Sequence, residues 1–199
     1  MGNCMENGKI FYLMGKSCAG KDTIFKKFME QQKFYTVILY TTRPMRSGEM
    51  EGREYHFVTE EEMLHLQREG KVIELRSYQT VHGMWHYFTV DDGQLNLQKG
   101  NYLLLGTLES YQKMREYYED ENFVPLYIEV EDGVRLERAL LREKQQKNPN
   151  YAELCRRYLA DEKDFSDENL RACGIKKRYQ NNKIEDCIRE LNNDIEQYK

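Results

Sequence analysis

Short apolar runs alternate along the chain with stretches whose apolar residues recur at helical spacing, a pattern typical of strands alternating with helices. The predicted strands are Lys9–Met14, Tyr35–Tyr40, Tyr55–Val58, Val72–Ser77, Trp85–Val90, Tyr102–Leu105 and Phe123–Val130. The predicted helices are Asp22–Gln32, Thr59–Gly70, Leu108–Tyr118, Val134–Lys144, Tyr151–Lys163 and Ile184–Gln197. This alternation favours an α/β fold whose core is a parallel sheet.

The segment 41–90 departs from the regular alternation, because it contains three short strands and a single helix. Thr59 and Glu62 have the spacing of a capping box, which predicts the start of that helix. We therefore expect 41–90 to be an inserted lobe with its own small sheet, within a core formed by residues 1–40 and 91–199.

The composition limits the kind of protein that the chain can be. Hydrophobic residues make up 40% and charged residues 32% of the 199 residues, which is typical of a globular protein. The 30 Lys and Arg against 34 Asp and Glu leave a formal charge of −4, which excludes a generally basic nucleic-acid-binding protein. The early apolar run Ile10–Met14 is too short for a membrane span, and the five cysteines form no CxxC pair. We expect a reduced cytoplasmic protein that binds neither nucleic acid nor membrane.

The segment GKSCAGKDT, residues 15–23, has the spacing of a phosphate-binding loop and lies between a predicted strand and a predicted helix. Gly15 and Gly20 allow the backbone to curl so that its N–H groups face phosphate oxygens. Lys21 is placed to reach the β- and γ-phosphates as a point charge. The predicted ATP-binding residues here are Gly15, Ser17, Cys18, Ala19, Gly20, Lys21, Asp22 and Thr23.

The position after Lys21 normally carries a serine or threonine that binds Mg²⁺, but this chain has Asp22 followed by Thr23. A carboxylate is a hard oxygen ligand that Mg²⁺ accepts readily. We therefore predict Asp22 and Thr23 as the residues that hold Mg²⁺, directly or through water.

A second motif, TTRPMRSGEMEGREYHFV, spans residues 41–58. Arg43 and Arg46 lie three positions apart on this segment, with Pro44 between them. Two guanidinium groups on one loop can bind a monophosphate dianion, and Tyr55 adds a hydroxyl. Taken alone, the same residues are also compatible with a solvated charged loop.

Together with the phosphate loop, the pattern TTRxxR-x-GE-x-x-G-x-x-Y-x-F resembles the guanylate kinase family. It is carried here by Thr41, Thr42, Arg43, Arg46, Gly48, Glu49, Gly52, Tyr55 and Phe57. The resemblance extends from Lys9 to about Ile195 and is weaker after residue 78. It implies the nucleoside-monophosphate kinase fold, with a core, an acceptor lobe and a helical lid at about 140–160. It also implies phosphorylation of GMP to GDP by ATP with Mg²⁺, in a monomer or a homodimer.

The resemblance also implies a role for individual residues of the acceptor lobe. Arg43, Arg46, Tyr55 and Tyr87 would hold the GMP phosphate. Glu74 would accept hydrogen bonds from N1–H and the exocyclic amine of guanine, a donor pair that adenine lacks. Thr89 would donate to guanine O6. The predicted GMP-binding residues are therefore Arg43, Arg46, Tyr55, Glu74, Tyr87 and Thr89.

Arginines of the predicted lid are implied to close over the ATP phosphates. Arg138 and Arg142 share one face of a predicted helix, and Arg157 lies on the next helix. Catalysis of phosphoryl transfer is mainly positioning and charge neutralisation. The predicted catalytic residues are Lys21, Arg43, Arg142 and Arg157.

Four positions after the phosphate loop depart from the family pattern, and one of them is Phe88, which stands in place of a family glycine. Leu39 stands where the family usually has a serine, and Leu105 and Thr107 stand where it usually has aspartates. These departures keep two alternatives open. The first alternative is a related kinase with another phosphorylated acceptor, such as a different nucleotide or a ribose bisphosphate. The second is a non-catalytic guanylate-kinase-like binding module.

Overall fold

The computed structural model describes residues 8–31, 33–80, 83–118 and 121–198. The strands are β1 Ile10–Met14, β2 Tyr40–Thr41, β3 His56–Phe57, β4 Val72–Thr80, β5 Gly83–Val90, β6 Tyr102–Leu105, β7 Phe123–Glu129 and β8 Arg178–Gln180. The α-helices are α1 Lys21–Glu30, α2 Glu60–Arg68, α3 Leu108–Tyr117, α4 Asp132–Lys144, α5 Tyr151–Asp164, α6 Asp167–Ala172 and α7 Ile184–Ile195. A 3₁₀ turn, Glu196–Tyr198, follows the last helix.

The core sheet is parallel and has the strand order β6-β1-β7-β8. Strand β1 is buried along its whole length, because its alternate side chains enter hydrophobic clusters on opposite faces of the sheet. Tyr12 and Met14 pack with residues of α3 and α6 on one face. Phe11 and Leu13 pack with residues of α1 and α7 on the other. The α/β fold with a parallel-sheet core is therefore confirmed.

A second sheet lies within residues 40–90 and has the order β3-β2-β5-β4. Its largest part is the antiparallel hairpin of β4 and β5. Helix α2 begins at the predicted capping box, in which Thr59 accepts from the Glu62 backbone N–H. Met63 of this helix packs on Phe88 of β5, which is completely buried.

The predicted strand Tyr35–Tyr40 is largely absent. Only Tyr40 enters β2, and Tyr35 forms a single bridge to Tyr102. Between them, the side-chain amide of Gln94 accepts from the Ile38 N–H and donates to the Ile38 carbonyl. A side chain thus satisfies backbone groups that a neighbouring strand would otherwise pair with.

Helix α6 and strand β8 do not stand out in the sequence pattern. Each is short, and β8 is an edge strand in which only Tyr179 is buried. Such a strand carries almost no hydrophobic alternation. Within the described ranges, no helix has the length and hydrophobicity needed to cross a lipid bilayer.

Candidate active site

The phosphate loop joins β1 to α1 and has a tightly curled backbone. Gly20 caps α1 with a φ of 90°, in the left-handed region, and Cys18 has a φ of 64°. A Cβ on Gly15 would lie only 2.6 Å from the carbonyl oxygen of Ile128 in β7. The loop therefore needs glycine at both positions and brings its N–H groups close to one another at the start of a helix, an arrangement suited to anions.

Asn181 locks the loop to the rest of the core. Its buried side-chain amide donates to the Ala19 carbonyl oxygen at 2.8 Å, and its backbone N–H donates to the Glu129 carbonyl oxygen. A Cβ on Gly20 would lie 2.3 Å from the same amide nitrogen. Arg138 of α4 donates to the Asn181 carbonyl oxygen at 3.2 Å. One residue therefore links the phosphate loop, the sheet and helix α4.

Lys21, Asp22 and Thr23 form the first turn of α1. Lys21 is partly exposed, and the other two side chains are exposed. The positive end of the helix dipole favours the Asp22 carboxylate at this position. In the described part of the chain, no three His, Cys, Asp or Glu side chains are grouped so as to hold a metal ion. Asp22 and Thr23 thus offer two oxygen ligands rather than a complete protein cage.

Helices α4 and α5 lie against the phosphate loop through a network of ion pairs. Asp161 of α5 accepts a hydrogen bond of 2.7 Å from the backbone N–H of Ser17, and Lys16 Nζ lies 2.8 Å from Glu162. The buried Arg135 of α4 pairs with both acidic residues, at 3.5 Å in the case of Asp161. A carboxylate oxygen thus binds the loop backbone as an anion would.

Two of the predicted lid arginines reach the phosphate loop. Arg142 and Arg157 line one small cavity together with Ser17 and Cys18. The Nε of Arg157 is buried and makes no hydrogen bond to any residue that the structure describes, and the Glu153 carboxylate lies 3.7 Å away, beyond hydrogen-bond distance. A buried donor without a partner costs free energy unless a ligand satisfies it.

In the lobe, Arg43 is buried and anchors the predicted phosphate-binding group. Its guanidinium makes two hydrogen bonds to Glu49, of 2.7 Å and 2.6 Å, and lies 5.0 Å from the ring centre of Tyr55. The ring of Tyr87 packs edge-on to Tyr55. Arg46 is exposed, and its backbone N–H also donates to Glu49. The Arg43 guanidinium, together with this N–H, lowers the pKa of Glu49 to about 2.

The predicted base-reading residues lie on the hairpin of β4 and β5, where Glu74 faces Thr89 and Arg76 faces Tyr87. The buried Glu74 carboxylate accepts from Arg76 Nε at 3.0 Å and from Arg76 Nη2 at 3.2 Å. Thr89 Oγ1 donates to it at 2.9 Å. Burial by itself would lower the pKa of the Arg76 guanidinium. The charge and hydrogen bonds of the Glu74 carboxylate have a larger combined effect, so the pKa is raised.

Two cavities lie between the lobe and the core. One has a volume of about 220 Å³, and its lining includes Tyr12, Leu39, Tyr55, Thr89 and Leu105. The other has a volume of about 540 Å³, and its lining includes Arg76, Tyr78, Thr107, Glu109 and Asp164. Tyr55 and Thr89, two of the predicted acceptor-binding residues, therefore face the core across a cleft.

The departures from the family pattern have different surroundings. Leu39 and Leu105 line the smaller cavity and make part of its wall apolar. Thr107 caps α3, where its hydroxyl accepts from the Ser110 N–H at 3.2 Å. Phe88, which stands in place of a family glycine, points into the lobe core and away from the face of Thr89.

Several residues of the site are missed by sequence reasoning. Arg76 has a usable signal, because a residue two positions after Glu74 on a strand shares its face. Arg135, Asp161 and Asn181 carry no such signal. Their partners lie far away in the chain, so that only the folded structure brings them to the loop.

Comparison with known proteins identifies the relatives of this chain. A family model described as guanylate kinase matches residues 7–90. A guanylate kinase from Anaplasma phagocytophilum is 35% identical over 117 residues, which are 55% of this chain and 54% of that protein. A guanylate kinase from Oleidesulfovibrio alaskensis is 34% identical over 100 residues, which are 50% of this chain and 47% of that protein.

Similarity of fold extends further than similarity of sequence. The matched segments span only about half the length of the curated relatives. The crystal structure of guanylate kinase from Anaplasma phagocytophilum, in contrast, covers 96% of this chain and 86% of its own, with a TM-score of 0.60 and 25% identity. The chain is therefore similar to guanylate kinases in sequence through its phosphate loop and small-sheet lobe, and in fold over nearly its whole length.

Proposed function

We propose that this protein transfers the γ-phosphoryl group of ATP to the phosphate of GMP, which gives ADP and GDP. The observation that carries the proposal is a cleft with two chemically different sides. The core side has a curled phosphate loop followed by Lys21. On the lobe side, Tyr55 and Thr89 line the cleft, and they contact the buried Arg43 and the buried Glu74, respectively. As nucleotides are cytoplasmic substrates, the proposal includes a cytoplasmic protein, active as a monomer or a homodimer.

ATP, the phosphoryl donor, would bind at the phosphate loop. Asp161 supports this assignment, because its carboxylate accepts from the Ser17 N–H as a phosphate oxygen would. Lys21 adds a mobile positive charge at the start of α1, and Arg142 and Arg157 lie at the cavity beside Ser17. Arg138, held on Asn181, would border the same donor site.

Mg²⁺ would be held by Asp22 and Thr23 together with the phosphates of ATP. The exposed carboxylate and hydroxyl at the start of α1 fit this ion, which is usually bound by one or two carboxylates plus substrate phosphates. When bound, Mg²⁺ would neutralise charge on the β- and γ-phosphates.

The acceptor would lie with its phosphate near Arg43, Arg46, Tyr55 and Tyr87. An oxygen of that phosphate attacks the γ-phosphorus of ATP, and the bond to the ADP oxygen breaks. Because the attacking oxygen is already anionic, no general base is needed. The positive groups Lys21, Arg43, Arg142 and Arg157 orient the two phosphates and offset their repulsion.

The acceptor can be identified by measuring ADP release with GMP, dGMP, AMP, CMP, UMP and ribose bisphosphates. We expect the highest kcat/KM with GMP. Leu39 and Leu105 make part of the cleft wall apolar, which favours a second candidate, a kinase for another phosphorylated acceptor. A preference for another compound would establish that candidate. Binding of nucleotides without ADP release would instead establish a binding module.

Glu74→Gln tests whether guanine is the selected base. The amide presents a donor to the two donors of guanine, so we expect kcat/KM for GMP to fall at least about hundredfold, with little change in the KM for ATP. Glu61→Gln, on the exposed face of α2 in the same lobe, is the matched control. Unchanged GMP efficiency in Glu74→Gln would contradict the assignment.

Asp22→Ala tests the Mg²⁺ assignment. We expect more Mg²⁺ to be needed both for half-maximal rate and for ATP binding measured by calorimetry. Glu30→Ala, at the other end of α1, is the control for the loss of an exposed carboxylate. An identical Mg²⁺ dependence in both measurements would show that Asp22 does not hold the ion.

A further inference from the structure

The Glu74 carboxylate accepts three hydrogen bonds, all of them from within the lobe. Arg76 donates through Nε and Nη2, and Thr89 donates its hydroxyl hydrogen. The side chain of Glu74 is 1% exposed and that of Arg76 is 14% exposed. The Arg76 group has two parallel N–H donors, which is the same pattern that the N1–H and amine edge of guanine presents to a carboxylate.

A guanine on Glu74 would also need a donor for its O6 atom. The hydroxyl of Thr89 has only one hydrogen and donates it to Glu74 at 2.9 Å. Leu39, which lines the same cavity as Thr89, has no donor. Arg76 borders the adjacent cavity, and the two bonds to Glu74 use only part of the five N–H donors of its guanidinium.

The spacing of Glu74 and Arg76 also suits adjacent edges of one purine. They lie two residues apart on one face of β4, which places their Cα atoms roughly 7 Å apart. Guanine has its N1–H and amine donors next to its O6 and N7 acceptors, and paired arginine donors are the commonest specific partner of O6 and N7. Adenine reverses the pattern, with an acceptor at N1 and a donor amine at position 6.

We infer that Arg76 is a specificity-determining residue that reads O6 and N7 of the acceptor base while Glu74 reads its N1–H and amine. The inference rests on the proposed function and deepens it. On binding, guanine replaces the paired contact between Glu74 and Arg76, and the guanidinium moves to the neighbouring edge of the base. The positive and negative groups stay adjacent, so that neither is left buried without a partner. Thr89 orients the carboxylate through its hydroxyl.

Single-atom changes in the acceptor test this assignment. We would measure kcat/KM for GMP, for 7-deaza-GMP, which lacks N7, and for IMP, which lacks the amine. The proteins are the wild type, Arg76→Met, Arg76→Lys and the control Arg68→Met, an exposed arginine of α2. The wild type and the control should prefer GMP to 7-deaza-GMP by about tenfold.

In Arg76→Met, kcat/KM for GMP should fall to the value for 7-deaza-GMP in the same variant, so that the ratio of the two approaches one. The ratio of kcat/KM for GMP to that for IMP should stay as in the wild type. Arg76→Lys, which keeps a positive charge beside Glu74, should recover part of the efficiency with GMP. If Arg76 had only a structural role, its replacement would lower kcat/KM equally for all three acceptors.

Two outcomes would overturn the inference while leaving the proposed function intact. One is an unchanged ratio of GMP to 7-deaza-GMP in Arg76→Met. The other is a higher efficiency with GMP in that variant, which would mean that Arg76 blocks Glu74. If the wild type releases no ADP with GMP, the proposed function fails and the inference fails with it.

Discussion

In the small-sheet lobe, charged side chains of the cleft are neutralised by other side chains of the lobe, whereas the phosphate loop is shaped by its backbone. Arg43 is paired with Glu49, and Arg76 is paired with Glu74. In the loop, glycine conformations set the geometry, and the Asn181 amide and the Asp161 carboxylate hold peptide groups of the backbone. The lobe therefore depends on the identity of particular side chains, and the loop depends on where its peptide groups lie.

This difference matches what each side would have to recognise. Phosphate groups are bound well by backbone N–H groups, which are present whatever the side chains at positions 17–19 are. A base and a monophosphate have specific edges and charges, which only side chains can distinguish. Paired charges in the lobe also avoid the cost of burying a lone guanidinium or carboxylate.

Lys21→Met would remove the side chain of the loop segment that we assign to catalysis, and it has the largest expected effect. The kcat should fall at least about hundredfold, because the positive charge at the transferred phosphate is lost. Lys26→Met, on an exposed position of the same helix, is the control. Circular dichroism should show that both variants are folded. Retained ADP release in Lys21→Met would contradict the catalytic assignment.

Arg43→Ala tests whether acceptor binding in the lobe depends on one particular side chain. A charge-assisted hydrogen bond contributes about 1.5–3 kcal/mol, so the KM for the acceptor should rise about tenfold or more. Arg46→Ala should act in the same direction. The KM for ATP should change little, because the donor binds across the cleft. Steady-state kinetics with Arg68→Ala as control provide the check, and equal losses for both substrates would show that the lobe is wrongly assigned.

Asn181→Ala tests whether ATP binding depends on the backbone geometry of the phosphate loop, which Asn181 holds. The buried Ala19 carbonyl loses its partner, which should lower the free energy of unfolding by about 1–3 kcal/mol and weaken ATP binding. Urea denaturation and calorimetry measure the two effects, with the exposed Asn193→Ala of α7 as control. Unchanged ATP affinity would mean that the loop holds its geometry without Asn181.

The smallest expected effect concerns the pH dependence of the pair between Arg43 and Glu49. The pKa of Glu49 is about 2, below its ordinary value of 4.5, so the pair stabilises the folded state above pH 4.5. This contribution should decline as the pH falls from 4.5 towards 2, because the unfolded chain then takes up a proton first. The Tm difference between wild type and Glu49→Gln should shrink over this range. A difference independent of pH would contradict this account.

The elements that could be predicted from the sequence are those with local signals. The capping box of Thr59 and Glu62 is formed as predicted, and β6 has its predicted bounds. The prediction of a strand over 35–40 was largely wrong, because its β-branched and aromatic residues favour a strand but the Gln94 side chain binds the backbone of Ile38 instead. A partner 56 positions away along the chain leaves no trace in local periodicity.

The candidate site shows the same division. The sequence predicts the curled phosphate loop, because Gly15 and Gly20 have the required spacing between a strand and a helix, and Gly20 adopts the left-handed conformation that glycine favours. It also determined the lobe face on which Glu74 and Thr89 lie, through the two-residue period of a strand. The contacts of Asp161 and Asn181 with the loop, and the pairing of Arg76 with both oxygens of Glu74, are visible only in the folded chain. Hydrogen bonds and ion pairs are sensitive to changes of a few tenths of an ångström in the distance between two polar atoms, and those distances are set by the packing of the whole chain.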